Sequence, residues 1–231
     1  MRARESRIPF FKVALCGCII ACCAAASSAN QLDSTAANFE STTNAILESG
    51  PSPKIWERGI GDGFACTAQS FEVGLGVNIG MATLGAEQAH HLALLSLAYG
   101  HMLTPVIGQS EWYRGNLEFR LELFAGSEFS PSTAWFVGLT PHLRYDFATG
   151  TRWVPFLDAG AGVTATQIGP PDLSGTFEFN LSIGTGVEYF LKDNVALTME
   201  ARYVHWSCAG ISEPNLGLNG VTLLLGASVF F

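Results

Sequence analysis

The sequence predicts an all-β protein, an eight-stranded antiparallel transmembrane β-barrel of the outer-membrane kind. Three observations lead there. Apolar residues alternate with small or polar ones over runs of about ten or more residues, longer than the five or six of an ordinary soluble strand. Eight such runs follow one another from residue 70 to residue 231. The links between them alternate between short and long, as they do in outer-membrane barrels. Composition agrees, since 48% of the 231 residues are apolar, only 14% are charged, and Gly (25) outnumbers Lys+Arg (12). The longest oily run, residues 13–26, is about 14 residues and falls short of the roughly 20 that a spanning helix needs.

The runs can be justified in order. In 70–82, Phe71, Val73, Leu75, Val77, Ile79 and Met81 share one face, and Glu72, Gly74, Gly76, Asn78 and Gly80 the other. Run 91–103 is apolar on both faces around Leu92–Leu97, so a helical reading stays open there. Run 112–125 sets Leu117, Phe119, Leu121 and Leu123 against Arg114, Glu118, Arg120 and Glu122. Run 134–147 carries Arg144 and Asp146 on its non-oily phase. Run 154–167 alternates less cleanly. Its Gly160 and Gly162, like Gly184 and Gly186 of run 176–191, fit lumen positions where bulky neighbours need space. Run 195–207 has Val195, Leu197, Met199, Ala201 and Tyr203 on the oily face, with Glu200 and Arg202 opposite. Run 220–231 closes the barrel. Short turns are expected near 104–109, 148–152 and 192–194, and long loops near 83–90, 126–133, 167–175 and 208–219. The charges on the inner phase, Glu188 included, are expected to pair in a packed polar core rather than to line a pore.

Residues 1–29 have the form of an export signal: Arg2, Arg4, Arg7 and Lys12 precede the oily run, and small residues follow it. Cleavage after Ala29 is one reading; Ile19-Ile20-Ala21-Cys22 offers a lipoprotein site at Cys22 as the other. Residues 30–69 read as a polar, loose leader with a short helix near 43–48, and 70–231 as the barrel. Loss of residues 1–29 deepens the net charge from −8 to about −11, a balance that repels nucleic acid. Cys66 and Cys208 fall on opposite sides of the membrane and are not expected to pair. No Cys/His metal spacing survives beyond the signal, so neither a metal nor another cofactor is expected. His90, His91, His101 and His142 show no partner spacing and read as loop or lumen residues.

His205 and Ser207 stand apart. Two positions apart on one strand, they project from the same oily face. By topology that face meets lipid near the outer rim, and Trp206 points into the lumen. A base and a nucleophile at the end of an oily stripe suggest chemistry on a substrate that arrives through the membrane.

The residues Arg202-Tyr203-Val204-His205-Trp206-Ser207, then Ala209-Gly210-Ile211, then Pro214-Asn215-Leu216-Gly217-Leu218-Asn219 resemble the lipid A 3-O-deacylase (PagL) family of outer-membrane acyl hydrolases. Pro155–Val163 and Gly184–Leu191 resemble its strands. The resemblance implies ester cleavage on lipid A or a related outer-leaflet lipid, without a metal. It makes Ser207 the nucleophile, His205 its base and Asn219 the residue that orients the imidazole, where the family can have Glu. Glu213, in the same loop, is an alternative at that last role. The resemblance also puts Cys208 where an oxyanion-stabilising Asn is usual, and a thiol is a weak donor. Asn215 and backbone N–H groups of the loop are the other candidates for that support. The departures at Asn219 and Cys208 imply a slow enzyme, one with changed preference, or a silent relative. The alternative is a non-catalytic small barrel serving envelope integrity or surface contact.

Overall fold

A computed structural model of the protein describes residues 54–231. The signal segment, Cys22 and the leader as far as residue 53, with the short helix expected near 43–48, lie outside the described residues. Eight strands follow in order: β1 (Gln69–Gly80), β2 (His91–Met102), β3 (Gly115–Ser130), β4 (Ala134–Phe147), β5 (Trp153–Thr166), β6 (Phe177–Lys192), β7 (Val195–Ser207) and β8 (Leu218–Phe230). Each pairs antiparallel with the next, and β8 closes on β1 to complete an outer-membrane barrel without a free edge.

The two-residue alternation decides which side chains meet lipid. Leu75, Ile183 and Leu225 are 65–67% exposed on the outer wall, whereas Glu72, Glu188 and Thr198 on the opposite phase are at most 2% exposed. The stretch Leu92–Leu97 is strand, paired with β1 and β3. It is apolar on both phases because the upper lumen is itself oily: Leu92 packs inside with Phe124, Phe136, Trp206 and Leu218.

The lumen has three layers. Below the oily upper layer, Arg120 pairs with Glu72 (3.2 Å), and Arg144 reaches Glu188 and Glu200 (3.4 and 3.1 Å). His142 lies between Asp158 and Glu122, and Arg202 between Glu122 and Glu200. Glycines make room for these groups: a Cβ on Gly160 would stand 2.6 Å from the His142 ring, and one on Gly184 2.6 Å from Arg202 Cβ. Asp146 departs from the expected pairing, for neither carboxylate oxygen has a hydrogen-bond partner. At the inner end, Trp56 and Phe64 from the segment before β1 stack on each other, Phe64 stacks on Phe230, Trp56 meets Phe190 edge-on, and together they stopper the lumen. The described part of the leader is therefore packed, not loose. Arg114 lies just ahead of β3 and pairs with Asp62 of the same segment (3.2 Å).

Two links differ in length from expectation. The β3–β4 connection is only residues 131–133, because Gly126–Glu128, despite their turn-like composition, stay hydrogen-bonded to β2 and β4. The β2–β3 connection, 103–114, is the longer one. It packs under the barrel against the leader, where Asn116 binds both Phe64 and Thr104. The other short turns, 148–152 and 193–194, lie at the same inner end as the start of β1. The loops 81–90, 167–176 and 208–217 crown the outer end.

Candidate active site

The end of β7 carries Tyr203, His205 and Ser207 on the lipid-facing phase, each half-buried, while Val204 and Trp206 turn into the lumen. Strand pairing sets His205 opposite Asn219 of β8 and Ser207 opposite Phe179 of β6. The ring Nε2 of His205 lies 3.2 Å from Ser207 Oγ, and its Nδ1 lies 2.8 Å from Asn219 Oδ1. Hydroxyl, imidazole and amide thus form one continuous chain.

The chemistry turns on which way the Asn219 amide faces. A backbone carbonyl can only accept. Asn219 Nδ2 donates to the carbonyl of Thr83 at 2.8 Å, so Oδ1 is turned toward the imidazole and also accepts from Tyr203 Oη at 2.7 Å. An oxygen at that point takes the proton of Nδ1–H. It thereby leaves Nε2 with its lone pair aimed at Ser207, the tautomer a general base requires. Asn219 is only 1% exposed although it stands on the outer phase, because loop 81–90 covers it.

Gly217 seats the ring from above. It adopts φ +87°, which favours glycine, and a Cβ there would stand 2.8 Å from His205 Cε1. Its N–H donates to the carbonyl of Asp172. The turn after Ser207 is closed by Ile211 N–H donating to the Cys208 carbonyl, with Ala209 and Gly210 both at positive φ (55° and 78°).

Of the residues expected from sequence, Ser207, His205 and Asn219 come together. Asn215 comes to the loop beside them, where its Oδ1 accepts the Cys208 N–H at 3.1 Å. The Cys208 side chain does not join the site. Strand parity turns it to the opposite side from Ser207. There it is 2% exposed, its Sγ accepting from Ser174 Oγ (3.1 Å) and facing the Ser212 carbonyl (3.3 Å). Its thiol and its N–H both have partners of their own, Ser174 and Ser212 for the one and Asn215 for the other. Glu213 is exposed in the loop and has no part in the chain of bonds at His205. Thr83, Tyr203 and Gly217 were not assigned roles from sequence. Tyr203 could have been found by parity, two positions before His205. The Thr83 contact could not, since it joins backbone to side chain across 136 residues.

Beside Ser207 a groove of about 470 Å³ opens on the lipid side, lined by Ala161, Gly162, Val163, Phe179, Leu181 and Ala209.

Comparison with known proteins gives the family and the fold. The family model described as lipid A 3-O-deacylase (PagL) matches residues 95–228. A lipid A deacylase PagL of Bordetella bronchiseptica is 32% identical over 124 residues, covering 52% of this chain and 59% of the relative. Another, of Pseudomonas aeruginosa, is 32% identical over 90 residues, covering 38% and 49%. The chain thus spans about half to three fifths of these relatives' length. Among solved structures, the outer membrane enzyme PagL superposes with a TM-score of 0.52 at 22% identity, covering 67% of this chain and 97% of that one.

Proposed function

Since the chain belongs to the lipid A 3-O-deacylase (PagL) family, we propose that it hydrolyses an acyl ester of lipid A or a closely related outer-leaflet lipid. The observation that carries this reading is the unbroken chain Ser207–His205–Asn219 on the lipid-facing wall beside an apolar groove.

The substrate diffuses in the outer leaflet and lays its acyl chain in the groove lined by Ala161, Gly162, Phe179 and Leu181. Ser207 Oγ attacks the ester carbonyl carbon as His205 Nε2 takes the hydroxyl proton. Asn219 Oδ1 holds Nδ1–H and keeps the imidazolium aligned. It carries no full negative charge, so it stabilises that cation less than a carboxylate would. The tetrahedral intermediate collapses, the sugar alkoxide leaves with the proton from Nε2, and an acyl-Ser207 ester remains. Water from the outer surface, deprotonated by the same nitrogen, releases the fatty acid and restores Ser207. With Cys208 committed elsewhere, the oxyanion draws on the N–H groups of the Ala209–Gly210 turn and on Asn215 Nδ2, whose oxygen is already held by Cys208 N–H. A missing oxyanion donor typically costs about a hundred- to a thousandfold, so a modest turnover is expected.

The test is expression in a lipid A-producing outer membrane followed by mass spectrometry of the lipid. The parent should remove one hydroxyacyl mass, and Ser207→Ala and His205→Asn should leave the lipid intact. An unaltered lipid in all three overturns the hydrolase and leaves the non-catalytic barrel.

A further inference from the structure

The outer loops are stapled by a cluster that lies outside the chain of bonds at Ser207. His90, at the end of loop 81–90, is 4% exposed and stands between two fully buried carboxylates. Its Nδ1 is 2.5 Å from Glu128 Oε1 and its Nε2 is 2.9 Å from Asp172 Oδ2. Glu128 belongs to β3 and also accepts from Ser132 Oγ (2.6 Å). Asp172 belongs to loop 167–176.

Asp172 is the hub. Its Oδ1 accepts the Glu87 N–H (2.7 Å), and its Oδ2 accepts the Gln88 N–H (2.9 Å) as well as His90. Its carbonyl accepts the N–H of Gly217, the residue that seats the His205 ring. One residue therefore holds loop 81–90 by its side chain and loop 208–217 by its backbone. In loop 81–90 a tight turn, closed by Ala86 N–H on the Thr83 carbonyl, presents that same carbonyl to Asn219 Nδ2.

That carbonyl matters because an amide, unlike a carboxylate, has a wrong way round. Turned over, Asn219 would offer Nδ2 to the imidazole, favour the opposite tautomer and place a proton on Nε2, where Ser207 needs a base. We propose that Asp172, held by His90, which Glu128 holds in turn, is a positioning residue that locks the Asn219 amide through Thr83 and so sets the tautomer of His205. The proposal rests on the deacylase reading for its kinetic consequence, though not for the tautomer itself. It also explains how a chain with Asn at this position keeps a working base: the missing charge is not replaced, but orientation is secured by loops that a carboxylate would not need.

The decisive measurement is ¹⁵N NMR of histidine-labelled protein in detergent micelles, with His205 assigned by substitution. The parent should show the Nδ1–H tautomer. Asp172→Asn keeps only one acceptor oxygen, so its NH2 must face either the Glu87 N–H or the Gln88 N–H and the His90 ring; that mismatch should release the loop and populate the Nε2–H form. An unchanged tautomer in the folded variant overturns the proposal. The kinetic counterpart is a cycle with Asn219→Glu, whose two oxygens make orientation immaterial. Asp172→Asn should lower kcat about ten- to a hundredfold beside Asn219 and by less than about threefold beside Glu at 219. Equal losses in both backgrounds mean general damage and also overturn it. Should Asp172→Asn not fold, His90→Gln takes its place; if neither folds, the cluster is a fold element and the proposal falls. If the parent deacylates no faster than Ser207→Ala, the hydrolase reading fails, and the NMR result still decides the positioning role.

Discussion

His142 in the lumen and His205 on the outer wall are the same side chain put to opposite uses by their neighbours. Both ring nitrogens of His142 face carboxylates, Asp158 at 2.7 Å and Glu122 at 3.1 Å. A ring so held donates from both nitrogens and has no lone pair to offer. His205 has an amide oxygen at one nitrogen and a hydroxyl at the other, which leaves Nε2 as an acceptor. His90 repeats the His142 pattern at the outer rim. Carboxylates on both sides suit a histidine to be a strut; a neutral acceptor on one side and a hydroxyl on the other suit it to the base role proposed for His205.

The largest effects should fall on opposite observables. His205→Gln should lower kcat by about 10²- to 10⁴-fold, the usual worth of a general base, and leave the urea unfolding midpoint in micelles unchanged. His142→Leu should do the reverse. It strands buried Asp158 and Glu122 with fewer partners at a cost of about 3–5 kcal/mol, while kcat stays within about threefold. A variant at 142 that loses activity at full stability would break the distinction.

Gly217→Ala sharpens the outer half of the comparison. The added methyl meets the imidazole at 2.8 Å and needs a positive φ, so the ring must shift from Ser207. A shift of this size costs up to about a hundredfold in rate. The loss should appear in kcat at nearly constant KM, measured with lipid A in mixed micelles. A smaller effect is expected from Ala161→Phe, which fills the groove without touching His205. Cleavage of long-chain substrates should fall about tenfold in kcat/KM and that of short-chain ones less, by competition assay with lipids of different acyl length. Equal losses for all lengths would detach the groove from the acyl chain.

How far this contrast was legible in sequence differs between the two regions. The wall and the lumen follow from parity alone, and so does the placing of Ser207 and His205 on one face. The Asn219 partnership came from the loop resemblance, and the register of β7 and β8 supplies its physical basis. The amide lock was not legible, because its acceptor is a backbone carbonyl and carries no residue signature. Nor was His90, whose carboxylate partners lie 38 and 82 residues away in sequence. Gly126 and Ser127 look like turn residues and proved to be strand, since pairing on both sides outweighs local preference in a closed barrel.

Asp146 tests the lumen half at a weak point. It shares the buried layer with Arg144 and Glu118, yet neither of its oxygens has a hydrogen bond. If buried polar groups stabilise the barrel only where they are partnered, an unpartnered one should be a defect, and its removal should help. Asp146→Leu keeps a similar volume and removes both unpartnered oxygens, so the unfolding midpoint should rise by the equivalent of about 1 kcal/mol, with activity unaltered at the far end of the barrel. A fall in the midpoint would mean that the carboxylate supports Arg144 at a distance. Pairing in the lumen would then be a property of the whole charged layer, and the distinction drawn from the partners of His142 would need to be restated for the layer rather than for the residue.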